Sequence, residues 1–137
     1  MIVFPCAKIN LGLNIVSNRD DGYHNLETVF YPVPLYDALE IKYMDPKFPS
    51  DVPCDLKVTG IDLDCDEQWN LVIRAYNLLA EDYELPRVHA HLMKRIPTGA
   101  GLGGGSSDGA YMIRLLDERF RLNIGIAEME DTLPVLG

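Results

Sequence analysis

The feature that most constrains this chain is a glycine-rich segment, Pro97-Thr-Gly-Ala-Gly-Leu-Gly-Gly-Gly-Ser-Ser-Asp108. Five of the seven residues 99–105 are glycines. Each glycine costs backbone entropy on folding, and a simple turn needs fewer of them, so the segment predicts a loop whose backbone approaches a ligand closely. A helix is predicted directly behind the loop, and a helix N-terminus favours an anion, above all a phosphate. Ser106, Ser107 and Asp108 are placed to cap that helix, and a hydroxyl there could meet a phosphate oxygen or its Mg²⁺.

Three familiar phosphate-binding loops do not fit this segment. The Walker A pattern requires a lysine where Gly105 stands. A dinucleotide-binding pattern matches at Gly99, Gly101 and Gly104, but no strand follows the helix to carry the ribose-binding acid. A protein-kinase glycine loop would need V-A-I-K and H-R-D motifs, which the sequence lacks.

Apolar and polar residues alternate near the N-terminus, as in a half-buried strand. Ile9, Leu11, Leu13 and Ile15 fall at a period of two, turn-forming residues follow at 19–22, and an apolar run occupies 26–33. These segments predict a β-hairpin. Pro32 and Pro34 are expected to end its second strand or to place it at a sheet edge.

The rest of the chain changes from strands to helices. Further strands are predicted at 38–43, 56–58 and 88–92, and helices at 70–83, 106–119 and 126–133, with Asn70 capping the first helix. Because strands come mostly first and βαβ alternation is absent, the sequence predicts an α+β fold in a single domain.

Composition excludes several classes of protein. With 12 Lys+Arg against 21 Asp+Glu the net charge is −9, which argues against a nucleic-acid partner. No signal peptide and no apolar run long enough for a membrane span is present, and three cysteines without a CxxC motif do not suggest disulfides. His89 and His91 with Cys54 and Cys65 lack the spacing of a zinc site. These features favour a cytoplasmic protein without a membrane or nucleic-acid partner.

The glycine-rich segment resembles the P-x-G-A-G-L-G-G-G-S-S-D signature of the GHMP small-molecule kinases, which include galactokinase, homoserine kinase and mevalonate kinase. Three other segments resemble one family within that group, the 4-diphosphocytidyl-2-C-methyl-D-erythritol kinases. They are P-C-A-K-I-N-L from Pro5, with Cys6 interrupting the usual P-A-K, D-G-Y-H-N-L-E-T from Asp21, and W-N-L-V-I-R-A from Trp69, where the family usually has Asp. The four segments occur in the family's order and span Pro5 to Ala110.

This resemblance implies a fold and an activity. Residues 1–137 would form the N-terminal, ATP-binding domain, with the α+β fold of ribosomal protein S5 domain 2. The whole enzyme would use ATP, assisted by Mg²⁺, to phosphorylate a hydroxyl of 4-diphosphocytidyl-2-C-methyl-D-erythritol in non-mevalonate isoprenoid biosynthesis.

The resemblance also implies roles for individual residues. Lys8 would lie beside the acceptor hydroxyl as a catalytic residue, although a lone lysine on a strand is usually only a solvated surface residue. Tyr23 and His24 would bind the cytosine, and Asn10 would lie near the substrate. Without the resemblance, these residues could simply be part of a hairpin and have no role in binding. ATP would be bound by Asn70, Lys94, Pro97, Thr98, Gly99, Ala100, Gly101, Leu102, Gly103, Gly104, Gly105, Ser106 and Ser107.

The group that accepts the hydroxyl proton is not identified within this sequence. In the resembling family it is an aspartate shortly after a Leu-Gly pair, and the chain stops at Leu136-Gly137. The expectation is that the base and a second lobe lie beyond Gly137, and Asp108 is not assigned as the base. Two alternatives stay open: a non-catalytic nucleotide-binding module, and another GHMP kinase that acts on mevalonate or a sugar. The D-G-Y-H hairpin argues against the second, and the metal ligands and oligomeric state are not predicted.

Overall fold

The computed structural model describes residues 1–18, 24–63, 67–129 and 132, with side chains described except at 10–18, 24–30 and Glu67. The strands are β1 (Ile2–Val3), β2 (Cys6–Asn18), β3 (His24–Tyr36), β4 (Ala38–Tyr43), β5 (Cys54–Gly60) and β6 (Val88–Lys94). The helices are α1 (Leu71–Ala80) and α2 (Gly104–Phe120), and a 3₁₀ turn at Glu67–Trp69 precedes α1. Within these residues, no helix has both the length and the apolar character needed to cross a membrane.

Four strands form one mixed sheet in the order β1-β4-β6-β5. β4 pairs antiparallel with β1 and β6, whereas β5 and β6 are parallel because α1 lies between them in the chain. Alternation along these strands directs one set of side chains into the core: Leu39, Ile41, Leu56, Val88, Ala90 and Leu92. The mixed sheet with helices confirms the α+β class.

The two helices pack against each other over the apolar side of this sheet. α1 buries Val72, Ala75, Tyr76 and Leu79, which recur at the spacing of one helical face. Its N-cap is Asn70, whose side-chain Oδ1 accepts the N–H of Val72 at 2.9 Å, as predicted. The buried Tyr76 hydroxyl donates to the Pro86 carbonyl at 2.8 Å, so this phenol has a hydrogen-bond partner in the core.

β2 and β3 form a separate two-stranded antiparallel sheet. β3 continues through both prolines, and Pro32 pairs with Lys8 in the register. In a two-stranded sheet each strand has an outer edge without a partner strand. A proline whose nitrogen faces that edge does not remove any hydrogen bond between the strands. The prolines therefore mark an edge strand and do not end it. The predicted turn at 19–22 lies outside the described residues.

The predicted bounds of β5 and α1 differ from the structure. β5 extends to Cys54–Gly60 because parallel pairing with β6 recruits residues beyond the apolar run at 56–58. α1 ends at Ala80, where Tyr83 N–H bonds back to the Leu79 carbonyl and closes the last turn. The third helix is described only at 126–129 and at Thr132.

The histidines of β6 hydrogen bond on the face of the sheet away from the helices. Nδ1 of His89 lies 3.1 Å from Oδ2 of Asp55, and its Nε2 lies 3.1 Å from the Phe48 carbonyl. His91 Nε2 lies 2.7 Å from the Thr59 hydroxyl. His89 is thus half-buried by local partners, whereas the sequence predicted an exposed strand face.

Gly60 ends β5 at a position where a side chain cannot be accommodated. Its φ is +87°, and an added Cβ would lie 2.1 Å from the carbonyl oxygen of Lys94. We expect Gly60→Ala to lower the free energy of unfolding by at least about 2 kcal/mol, because left-handed strain and a backbone clash combine. Urea unfolding measures this. Gly125→Ala is the matched control, since a Cβ there meets nothing within 4 Å; equal losses in the two variants would contradict the argument.

Candidate functional site

The glycine-rich loop has an alternating backbone conformation. Gly99, Gly101 and Gly103 have φ of 76°, 74° and 66°, whereas Ala100 and Leu102 do not have positive φ. Such alternation of handedness turns successive N–H groups toward one point and forms an anion-binding concavity. A Cβ at Gly99 or Gly101 would meet nothing within 4 Å, so glycine is required there by the backbone conformation and not by lack of space.

The loop leads directly into the N-terminus of α2. The helix begins at Gly104 with Gly103 as N-cap, and no side chain caps it. Uncapped N–H groups and the positive end of the helix dipole therefore face the loop, which favours a bound anion. The predicted capping by Ser106, Ser107 and Asp108 is wrong, because the helix starts two residues earlier and places all three inside it. Ser106 is exposed there and Ser107 is half-buried.

Lys8 lies against this loop. Its backbone N–H donates to the Leu102 carbonyl at 2.9 Å, which ties β2 to the loop. Its side chain runs along Gly103, where an added Cβ would lie 3.0 Å from Lys8 Cε. The structure thus brings the predicted catalytic lysine together with the predicted phosphate loop.

Gly104 is needed for close packing behind the loop. A Cβ on Gly104 would lie 2.7 Å from Ile96 Cγ2 and 3.2 Å from Lys94 Nζ. Since Ile96 is fully buried, its side chain has little room to move. Gly104 therefore lets the first turn of α2 sit directly on the end of β6.

A buried charge cluster lies beneath this contact. The Lys94 ammonium donates to Asp37 Oδ2 at 2.5 Å and to Asp108 Oδ2 at 2.9 Å. All three residues are at most 2% exposed. Asp37 Oδ1 also accepts the backbone N–H groups of Arg95 and Ile96, at 2.7 and 2.9 Å. The cluster joins the start of β4, the end of β6 and the first turns of α2.

The protonation of the cluster follows from burial and pairing. Burial, reinforced by the hydrogen bond with Asp37, raises the pKa of Asp108 to about 8 although Lys94 opposes this. Burial also acts to raise the pKa of Asp37, but its hydrogen bonds outweigh that effect and lower the pKa. For Lys94 burial acts to lower the pKa, and the two carboxyl groups outweigh it and raise the pKa. At neutral pH a protonated Asp108 leaves one buried cation paired with one buried anion.

A cavity opens beside the loop. Its volume is about 500 Å³, within the range of small-molecule sites. It is lined by Ile61, Asp62, Leu63, Trp69, Asn70, Leu71, Lys94, Pro97, Thr98, Gly105 and Asp108. Five predicted ATP-binding positions therefore share one cavity: Asn70, Lys94, Pro97, Thr98 and Gly105. The cap bond of Asn70 uses its side-chain oxygen, which leaves its amide nitrogen as the donor for a ligand.

The side chains of the predicted substrate-binding residues lie outside the part of the chain that the structure describes. Tyr23 lies outside the described residues. Asn10 pairs with Phe30 and His24 pairs with Asn18 in the hairpin, and their side chains are not among those described. His24 stands at the end of the hairpin opposite to Lys8.

Sequence reasoning missed two residues of the site. Asp37 is a single acid between Tyr36 and Ala38 in an otherwise apolar stretch, and an isolated charge in such a stretch is the signal of a buried polar partner. The second is Trp69, which lines the cavity and which in the sequence stands out only because the motif usually has Asp there. Lys94, which is predicted to bind the nucleotide, lines the cavity, and its ammonium is held by two carboxyl groups.

The raised pKa of Asp108 makes stability depend on pH. Its folded-state pKa of about 8 exceeds the unfolded value of 3.8, so the folded chain holds an extra proton between these values. The contribution of Asp108 is therefore complete below the unfolded pKa and is lost as pH rises through about 8. We expect the free energy of unfolding of Asp108→Asn to rise by about 2–3 kcal/mol relative to that of the wild type between pH 6 and pH 9. Urea unfolding at both pH values measures this, with Asp51→Asn, an exposed aspartate, as control. A pH-independent difference would contradict the assignment.

The sequence is similar to known proteins of one family. Residues 70–137 match the family described as GHMP kinases N terminal domain. The chain is 50% identical over 137 residues to a 4-diphosphocytidyl-2-C-methyl-D-erythritol kinase of Bacteroides fragilis. The aligned residues make up 100% of the chain and 49% of the relative. The corresponding kinase of Parabacteroides distasonis is 51% identical, with 100% and 48% covered.

A solved structure shares the fold as well. The crystal structure of a 4-(cytidine 5'-diphospho)-2C-methyl-D-erythritol kinase superposes with a TM-score of 0.72 and 34% identity, over 97% of this chain and 46% of that one. The chain thus spans about half the length of the curated relatives it matches. The loop, the α+β fold and the similarity over the whole length agree: the chain is similar to the GHMP kinases and has the fold of their N-terminal domain.

Proposed function

We propose that this chain is the ATP-binding N-terminal lobe of a cytoplasmic kinase that phosphorylates a hydroxyl of 4-diphosphocytidyl-2-C-methyl-D-erythritol. This is the kinase step of non-mevalonate isoprenoid precursor synthesis. The observation that carries the proposal is the alternating glycine loop set against an uncapped helix N-terminus, with Lys8 bound along it. Relatives named for this activity, about half identical to the chain, support the choice of substrate.

The loop would hold the phosphates of ATP. Backbone N–H groups of residues 99–105 and of the first turn of α2 converge where a polyphosphate could lie. These donors keep their positions throughout the reaction, so they stabilise charge on the transferred phosphoryl group without reorganisation. The base and ribose would extend into the adjoining cavity, past Asn70.

Lys8 would act on the acceptor hydroxyl. An ammonium beside the hydroxyl lowers its pKa and offsets charge that develops as the oxygen attacks the γ-phosphorus. A protonated ammonium has no lone pair, so it cannot accept the hydroxyl proton. Asp108 does not serve as this base either, because it is buried and paired with Lys94. The proposal therefore assigns proton acceptance to the second half of the kinase.

Mg²⁺ fits this site as a companion of the nucleotide. The described residues contain no cluster of three or more His, Cys, Asp or Glu side chains suited to hold a metal ion by themselves. Mg²⁺ usually keeps several waters and takes few protein ligands beside phosphate oxygens. The hydroxyls of Ser106 and Ser107, at the start of α2, are the groups that would complete its coordination. When bound, the ion would neutralise phosphate charge.

The loop assignment is tested by Gly101→Val. A β-branched residue strongly disfavours positive φ, so the loop should lose its alternating conformation, while the open space at this position keeps the fold intact. We expect ATP affinity, measured by calorimetry, to fall at least tenfold, while left-handed strain lowers the free energy of unfolding by about 1–2 kcal/mol. Gly125→Val serves as the control, and unchanged ATP affinity in Gly101→Val would show that the loop is only a turn.

The substrate assignment is tested by His24→Ala in the full-length kinase. Loss of a hydrogen bond to a buried cytosine costs on the order of 1–3 kcal/mol, or roughly 5- to 150-fold. We expect the KM for 4-diphosphocytidyl-2-C-methyl-D-erythritol to rise by such a factor while the KM for ATP changes little. Equal effects on the two substrates would remove His24 from the cytosine site.

A further inference from the structure

Trp69 is the one tryptophan in the sequence, and it lines the cavity beside the glycine loop. It ends the 3₁₀ turn Glu67–Trp69 and directly precedes Asn70, whose side chain caps α1. The cap bond fixes the backbone next to the indole. The indole is nonetheless 64% exposed, so a large flat apolar ring is held at a wall of the cavity without being used in the core.

The cavity has the composition of a site for a flat heterocycle. Ile61, Leu63 and Leu71 provide apolar walls together with Trp69, and Asn70 supplies an amide. Pro97, Thr98 and Gly105 belong to the loop region and line the same space, so a ligand with phosphates on the loop would have its other end beside the indole. An aromatic ring that faces a base can stack on it whatever the base is, because every base has a π-face.

We propose that Trp69 stacks on the base of the nucleotide bound at this loop and so holds that end of the ligand. This inference rests on the proposed function, since it takes the loop to bind the phosphates of ATP. It assigns a contact residue on the wall of the cavity that is distinct from the phosphate-binding backbone. Trp69 therefore contributes to affinity for nucleotides with a base and not to affinity for polyphosphate alone.

The single tryptophan makes this proposal directly measurable in the 137-residue chain. Titration with ATP or ADP is expected to quench and shift Trp69 fluorescence, because stacking changes the surroundings of the indole. Inorganic tripolyphosphate is expected to bind, as measured by calorimetry, with little change in that fluorescence. A fluorescence change of equal size with tripolyphosphate would overturn the stacking assignment.

Substitutions separate stacking from a structural role. We expect Trp69→Ala to raise the Kd for ATP at least fivefold, Trp69→Phe to restore most of the affinity, and both variants to bind tripolyphosphate like the wild type. Phe48→Ala is the matched control, because Phe48 is also a highly exposed aromatic residue and lines a groove with His89 and His91 on the other face of the sheet. Its Kd for ATP should not change.

The outcomes distinguish this inference from the proposed function. If wild-type protein shows no ATP binding in calorimetry, the proposed function itself fails, and the stacking proposal fails with it. If ATP binds but neither the fluorescence nor the affinity of Trp69→Ala responds, only the assignment of Trp69 is overturned. A parallel loss of ATP and tripolyphosphate affinity in Trp69→Ala would also overturn it, since that result indicates a disturbed loop.

Discussion

The buried ion pair of Lys94 with Asp37 is the interaction on which the site depends. One ammonium on β6 binds the carboxylate of Asp37, which directly precedes β4, and also the carboxyl of Asp108 on α2. The same Asp37 receives the two backbone N–H groups that follow β6, so the strand is held as it enters the glycine-rich segment. Removing one partner would leave an uncompensated charge in a dry interior, which is far more costly than the loss of an exposed salt bridge. The phosphate loop therefore starts from a rigid base.

The glycines of the loop meet different physical requirements although they are adjacent in sequence. Gly99 and Gly101 have open space around them and are needed for positive φ. Gly103 combines positive φ with close approach of the Lys8 side chain, and Gly104 is limited by contact with Ile96. Gly105 has ordinary packing, with Leu71 Cδ1 3.8 Å from the position of a Cβ. A single glycine-rich motif thus joins ligand binding at its start to helix packing at its end.

Much of this arrangement could be predicted from residue patterns. The period-two strands β4 and β6 have one buried face each, as expected, and Asn70 caps α1 because its side chain is well suited to that position. The start of α2 could not be predicted, because a left-handed glycine ended the loop two residues earlier than the serines suggested. The charge cluster also escaped prediction, since pairing of Asp37 with Lys94 depends on tertiary contact and leaves no local periodicity. Local patterns therefore predict elements well, and the interactions between distant elements less well.

The separation of the cluster residues along the chain has a consequence for folding. Lys94 and Asp37 are 57 residues apart, and the N–H groups of Arg95 and Ile96 lie 58 and 59 residues from their acceptor. Contacts of such range form only after a large loop has been closed, which makes them slow compared with local turns. The base of the phosphate loop therefore forms together with the pairing of β4 and β6, which spans a similar length of chain. Until that step, newly synthesised chains contain the complete glycine motif but lack the loop conformation that binds an anion.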